Sequence, residues 1–367
     1  MRWTLFFALS FALAVLLASA AGAPAQNETK KQPEKKKKEK GPPPSWVEPK
    51  LPDGKTVVTD SSPKMLKAPS GVLREGVVVA KTPPTIDFVY YPGQTYRAKI
   101  WSNWGDGLAA NGKYCSAIGD HDAPEGNAFV FEYDPVTKII RLLVDLRDLL
   151  KLMMGWYTPG KVHSRIDMGA DGKLYFSTHR GSTTTTTETF HYKGDWIVAV
   201  DPKTAKPEIV AHGPVPKHCL PCSVLDPDRM IFYAGTAPGT KEDGGVRFLA
   251  YDVKNRKVLY DGVDGPPRYM IFARSTGKVY FCPSKGEGGS NMVCFDPAKA
   301  SPPYPIKATL GLRAATEETK NGFVYTLGLS LKEKGAAIIA FNTKTETAEE
   351  LGLAAVGAVD YVASIDV

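Results

Sequence analysis

The amino terminus has no apolar stretch long enough to cross a bilayer. The run from Leu5 to Leu17 holds 13 residues, against the roughly 20 that a transmembrane helix needs. Arg2 precedes it, and the small-residue sites Ala18-Ser19-Ala20 and Ala21-Gly22-Ala23 follow, which is the pattern of a cleavable export signal. Residues 1–23 are therefore expected to be a signal peptide. The mature chain is expected to be exported, periplasmic or extracellular, without a transmembrane anchor. No Cys stands beside the cleavage site, so a lipid anchor is not expected there.

Imidazole and thiol are scarce: six His and five Cys in 367 residues, with no HxxxH or HxH pair. His218-Cys219-Leu220-Pro221-Cys222 leads into a strand pattern, whereas a redox CxxC needs a helix start to lower its thiol pKa. Ser223 stands where haem attachment would need a His, so neither haem nor nucleotide is expected as cofactor. Cys282 and Cys294 flank a Gly-rich loop within one repeat, and export leaves a disulfide between them open. Outside one segment there is also no excess of charge. Seven Lys and two Glu between Lys30 and Lys40 give a net +5 of the formal +7, so nucleic acid is not an expected partner of the folded part. Residues 24–48 are expected to be a disordered Lys/Pro-rich tether, either a solvated spacer or a contact with an anionic surface.

Residues 49–367 contain no second linker, and they repeat. A hairpin of apolar strand, turn and aromatic or β-branched strand recurs at 111–118, 171–178, 227–235, 276–283 and 321–328. Its turn residues Gly112, Gly172, Arg229, Gly277 and Gly322 lie 60, 57, 48 and 45 apart. A second signature follows each: Tyr133-Asp134, Val200-Asp201, Tyr251-Asp252, Phe295-Asp296 and Phe341-Asn342. Gly supplies the positive φ of a tight hairpin, and Asp or Asn bonds the backbone of the turn it opens. Two signals in one phase describe a four-stranded unit, strands A to D, and hence an all-β fold, a β-propeller of four-stranded blades. Six to seven blades are expected. In one version Ala363 to Val367 joins N-terminal strands at 55–59, 76–81 and 86–91 to close a sixth blade; in the other the chain is a C-terminally truncated seven-bladed propeller.

Strand order then assigns faces. Starts of A, ends of B, starts of C and the D-to-A connections share one face, and all six His (His121, His163, His179, His191, His212 and His218) fall there. Arg268 and Arg313 align with His163 in their own blades, and Asp120, Asp122, Arg165, Asp167, Arg180 and Lys193 accompany them. His163, His179 and His218 are the candidate catalytic residues. Arg165, Arg180, Arg268, Arg313 and Trp104 are the candidate substrate contacts. A subset of His121, His163, His179 and His218 is the candidate set for a divalent metal, since imidazole suits such ions. The insertion Gly181 to Phe190, with Thr183 to Thr187 in a row, is open as a lid over a hydroxyl-rich ligand or as an exposed loop. Trp101, Trp104, Trp156, Tyr157 and Trp196 fall near the same face, either to stack on sugar rings or to pack between blades.

Hairpins such as Asp171-Gly172-Lys173-Leu174-Tyr175-Phe176, followed by aromatic-Asp-Pro turns, resemble the bacterial propellers that include streptogramin lyases, gluconolactonases and YVTN or NHL repeat proteins. The resemblance covers about residues 95 to 367 and implies a fold rather than a substrate. The segments at 160–182 and 194–202 look like exported propellers of environmental bacteria. The one-sided His cluster is similar in kind to that of oligogalacturonate lyases, propellers whose histidines bind a divalent metal, but no ligand motif matches residue by residue and no role is carried over. Two readings stay open. One is a metal-assisted lyase or hydrolase acting on a carbohydrate or uronic substrate; the other is a non-catalytic propeller that binds a glycan, peptide or protein. Both act through the His-bearing face, and a small-molecule or glycan ligand is the expected partner.

Overall fold

The computed structural model describes residues 55–365 apart from 69, 72, 74–75, 77, 93–99, 122–125, 287–290, 300, 310–313, 331 and 355–363. The expected signal peptide and tether lie outside these residues, as does Arg313. The described chain is a β-propeller. Blade 1 comprises β3 (Leu108–Ala110), β4 (Lys113–Gly119), β5 (Ala128–Asp134) and β6 (Ile139–Asp145). Blade 2 comprises β7 (Asp167–Met168), β8 (Leu174–Ser177), β9 (Trp196–Asp201) and β10 (Lys206–His212). Blade 3 follows with β11 (His218–Asp226), β12 (Ile231–Pro238), β13 (Arg247–Asp252) and β14 (Lys257–Val263). Blade 4 is β15 (Ile271–Ala273), β16 (Lys278–Phe281), β17 (Asn291–Phe295) and β18 (Tyr304–Thr309). Each is an antiparallel meander in chain order. Blade 5 has β19 (Phe323–Leu329), β20 (Ala336–Asn342) and β21 (Thr347–Leu353), with its inner strand reduced to a bridge between Ala315 and Thr326.

Turn chemistry holds the repeats in phase. Gly112, Gly172, Gly277 and Gly322 have φ of 74°, 79°, 75° and 81°, where a Cβ would be strained. In blade 3 the positive φ falls on Met230 (53°) rather than on Arg229. All five C–D turns are closed by the expected acceptor. Asp134 Oδ1 takes Val136 N, Asp201 Oδ1 takes Lys203 N, and Asp252 Oδ1 takes Asn255 N. Asp296 Oδ1 takes Ala298 N, and Asn342 Oδ1 takes Lys344 N.

The two central strands of each blade are almost wholly apolar and buried, as Phe176, Val198 and Val200 in blade 2 and Phe232, Ala234 and Leu249 in blade 3 show. Apolar clusters join blade 1 to 2, 2 to 3, 3 to 4 and 4 to 5, and the other face of blade 1 packs on Ile100 and Tyr91, so hydrophobic burial holds successive blades together. Polar ties reinforce the joins: Arg141 to the Pro202 carbonyl, Ala170 N to the Pro227 carbonyl, and a two-pronged pair between Arg274 and Asp228 at 3.0 Å. The inner strands face one another across the axis. Tyr269 beside β15 donates to Asp106 beside β3, and Arg165 beside β7 donates to Glu317 of blade 5.

Near the amino end, β1 (Val57–Asp60) pairs with β2 (Ile86–Val89), while the expected strand at 76–81 is absent among its described residues. This two-stranded sheet is fastened to blade 1. Asp87 accepts from Thr59, Tyr133 and Lys138, and the Tyr91 ring lies 5.3 Å from Phe131. The hydrogen bond from Lys138, then those from Thr59 and Tyr133, hold the Asp87 carboxyl down at about 2 against the effect of burial. Of the expected closing strand, only Ser364 and Ile365 are described, and neither is in a strand.

Candidate functional site

The segment leading into β7 builds one wall of a cavity of about 460 Å3 on the His-bearing face. Side chains alternate along extended backbone. Val162, Ser164 and Ile166 turn inward at 1–2% exposure, while Lys161, His163 and Arg165 line the cavity. A bridge between Lys161 and His179 anchors the segment to the end of blade 2's second strand. Trp104 and Asp106 come from ahead of β3, and His121 from the end of β4. Ser223 comes from β11, and Arg268 and Tyr269 from ahead of β15. Four blades thus converge.

His163 is held in one tautomer. Its Nδ1 lies 2.8 Å from the Pro221 carbonyl, which can only accept, so Nδ1 carries the hydrogen and Nε2 keeps its lone pair. The carbonyl is available because β11 bulges between Cys219 and Cys222, leaving Pro221 outside the ladder. Burial, then the Lys161 charge, pushes the His163 pKa down to about 4. The ring is therefore a neutral acceptor at pH 7.

The cavity is otherwise cationic. Lys161 is buried, with Nζ 2.9 Å from His121 Nε2; an ammonium only donates, so that imidazole nitrogen accepts. Arg165 lies between Asp167 at 3.1 Å and Glu317 at 2.6 Å, and against the cost of burial these partners hold it more firmly charged than usual. Its charge is largely matched. Arg268 is exposed and has no ion-pair partner among the described residues. Asp106 accepts from the Tyr269 hydroxyl at 2.6 Å. Ser223 is 4% exposed, and its hydroxyl has no protein partner among the described residues.

Aromatic rings stand at the rim. The Trp104 ring lies 6.4 Å from His163 and within 5° of parallel, and Trp101 sits 5.0 Å from His121. Both indoles are about half exposed.

The remaining candidates take other places. His179 packs behind His163 with ring centroids 5.6 Å apart, and its Nδ1 accepts from Gly181 N. Burial, then Lys161, drives its pKa well below the ordinary value. His218 is turned away from the cavity: Nδ1 bonds Thr236 Oγ1 at 2.8 Å and Nε2 bonds the Asp243 carbonyl at 3.0 Å. Arg180 ties blade 2 to blade 3 through the Pro238 carbonyl and Cys219 Sγ. Arg313 and Asp122 lie outside the described residues. Among the described residues no three His, Cys, Asp or Glu side chains are placed to hold one ion. With both nitrogens engaged, His218 is not available to the candidate metal-binding subset.

The threonine insertion is a docked strap rather than a lid. Thr185 and Thr186 are buried, and Thr186 donates to the Gly239 carbonyl of the next blade at 2.6 Å. Tyr157 and Trp196 are packing residues, their rings stacked within 2°. All five cysteines are free thiols, and burial raises Cys222 to about 12.

Sequence reasoning missed Lys161, Asp106, Ser223 and Tyr269. Strand alternation was a usable signal for Lys161, which stands two residues before His163 as Arg165 stands two after. Tyr269 adjoins the aligned Arg268. Nothing local marked Ser223, whose position depends on the bulge.

No family model matches the chain, and no curated protein is detectably similar to it. Among solved structures it is similar to the β-propeller domain of the Trilobed protease from Pyrococcus furiosus, at 10% identity and TM-score 0.42, over 71% of this chain and 73% of that one. It is also similar to the GH74 enzyme of Niastella koreensis, at 10% identity and TM-score 0.46, over 71% of this chain and 41% of that one. TolB from Acinetobacter baumannii is similar at 12% identity and TM-score 0.37, over 74% and 59%. The chain thus spans less than two thirds of the GH74 and TolB chains.

Proposed function

We propose that this propeller binds an acidic carbohydrate, a uronic sugar or oligosaccharide, in the cavity on its His-bearing face. The observation that carries the reading is the placement of Arg268 and Lys161 beside the half-exposed ring of Trp104. A carboxylate meets cations there, and the CH face of a sugar ring meets an indole. The Ser223 hydroxyl, without a protein partner among the described residues, offers a further polar contact.

The same geometry supports a lyase. A neutral His163 Nε2 is a base, and the cations would stabilise charge building on the carboxylate as the adjoining proton leaves. Hydrolysis by paired carboxylates has less support, because Asp106 is the one carboxylate lining the cavity among the described residues and it already accepts from Tyr269. That bond also commits the Tyr269 proton, which favours the non-catalytic reading. Binding is the conclusion, and turnover is what the experiment decides. Export rests on the leader pattern, contact with an anionic surface on the Lys-rich tether, and kinship with the streptogramin lyase, gluconolactonase and YVTN or NHL group on the hairpin signature.

The test is calorimetric titration of the protein with galacturonate oligomers and with neutral oligosaccharides of matched length, followed by ultraviolet detection of unsaturated product. Saturable binding of the acidic series alone is expected. Equal affinity for the neutral series would overturn the reading.

A further inference from the structure

We infer that the ligand site continues beyond the cavity to Trp101, which provides a second stacking platform and makes the protein a reader of acidic oligosaccharides rather than single sugars. The inference rests on the acidic-carbohydrate reading above and names the length of ligand that reading leaves open.

The segment from Ile100 to Trp104 is pinned to Gly119 at Trp101 and Ser102 yet exposes its largest side chains. Ile100 and Ser102 are each 1% exposed, while Trp101 and Trp104 are 53% and 51% exposed. Trp101 N and Ser102 N both donate to the Gly119 carbonyl at 3.0 Å, and Gly119 N donates back to Ser102 at 2.9 Å. The exposure is therefore a fixed feature of an ordered backbone. Holding two indoles half in water forgoes burial that these side chains would otherwise gain, and a ligand surface can supply it.

Each indole is backed by a histidine of the cavity wall: Trp101 by His121 at 5.0 Å, Trp104 by His163 at 6.4 Å. Lys161 joins the two stations, bonding His121 and lowering the pKa of His163. Three residues of chain put the Cα atoms of Trp101 and Trp104 at most about 10 Å apart, and a short oligosaccharide covers a span of that order. A sugar held by its carboxylate inside the cavity and stacked on Trp104 would carry its neighbours toward Trp101.

The experiment compares galacturonic acid with trigalacturonic acid by calorimetry. The native protein should bind the trimer about tenfold more tightly than the monomer. Trp101→Ala should bring the trimer close to the monomer while changing monomer affinity by less than about twofold. Trp101→Phe should keep most of the difference, and Trp104→Ala should weaken both ligands. If Trp101→Ala does not fold, Trp101→Gln reads the same ratio. Equal native affinities, or equal losses for both ligands in the variant, overturn the second platform and leave the carbohydrate reading standing. Binding of neither ligand overturns both.

Discussion

His163 precedes the inner strand of blade 2 and His218 opens that of blade 3, and they do opposite things. His218 lies within the β11 ladder opposite Pro238, and its two nitrogens are consumed by Thr236 and Asp243. His163 lies ahead of a strand only two residues long, where the chain is open toward the axis. One nitrogen is fixed by Pro221 and the other is left as an acceptor in the cavity. A strand start on this face thus becomes structure or site according to whether the adjoining loop folds back over it.

The contrast can be broken most forcefully on its structural side. Asp195 is fully buried and accepts from Tyr157 at 3.0 Å, Tyr192 at 3.2 Å and Thr178 at 2.5 Å. Asp195→Ala strands three buried hydroxyls, and urea unfolding should show a loss of about 3 kcal/mol or more. His218→Ala removes two buried hydrogen bonds and leaves a cavity, for a loss of about 2–3 kcal/mol. Galacturonate affinity should stay within about twofold in the folded fraction. A folded His218→Ala protein that cannot bind would erase the distinction between the two histidines.

The site side should respond in the reverse sense. Arg268 is exposed and unpaired among the described residues, so Arg268→Ala should leave stability within about 0.5 kcal/mol. It should weaken binding of an acidic oligosaccharide about tenfold, with neutral sugars unaffected. Loss of stability without loss of affinity would place Arg268 with the structural residues.

The face was legible in the sequence because hairpin phase is local: Gly172 and Asp201 set where strands turn, and His163 and His179 follow from them. Radial position was not legible, because it depends on contacts between blades. Arg180 reads like Arg165 in sequence, but the Pro238 carbonyl of the next blade captures it. The threonine run reads as a loop, but Thr186 meets Gly239 from 53 residues away. Ser223 faces the cavity only because the β11 bulge shifts the alternation. Period-two reading of Lys161, His163 and Arg165 would have recovered one wall; the opposite wall, Tyr269 and Asp106, depends on a contact between blades 4 and 1.

The cavity histidine and the packed interior also differ thermodynamically. Burial, then Lys161, lowers His163 from its ordinary 6.5 to about 4. As pH falls from 6.5 the unfolded chain takes up the proton first, so this group's contribution to stability is complete above 6.5 and is lost progressively toward pH 4. Asp195 runs the other way. Burial raises it from 3.8 to about 6 despite its hydroxyl donors, so the native state binds its proton first, and its contribution grows as pH falls through that window. The two partly cancel in the wild-type stability curve, and the informative quantity is the difference between wild type and His163→Gln. That difference should shift by about 1 kcal/mol against the wild type between pH 7 and about 5.5, read from urea midpoints at each pH. A flat difference would mean that His163 protonates as an ordinary exposed imidazole. The cavity would then present a cation near pH 6 where the geometry now provides a base.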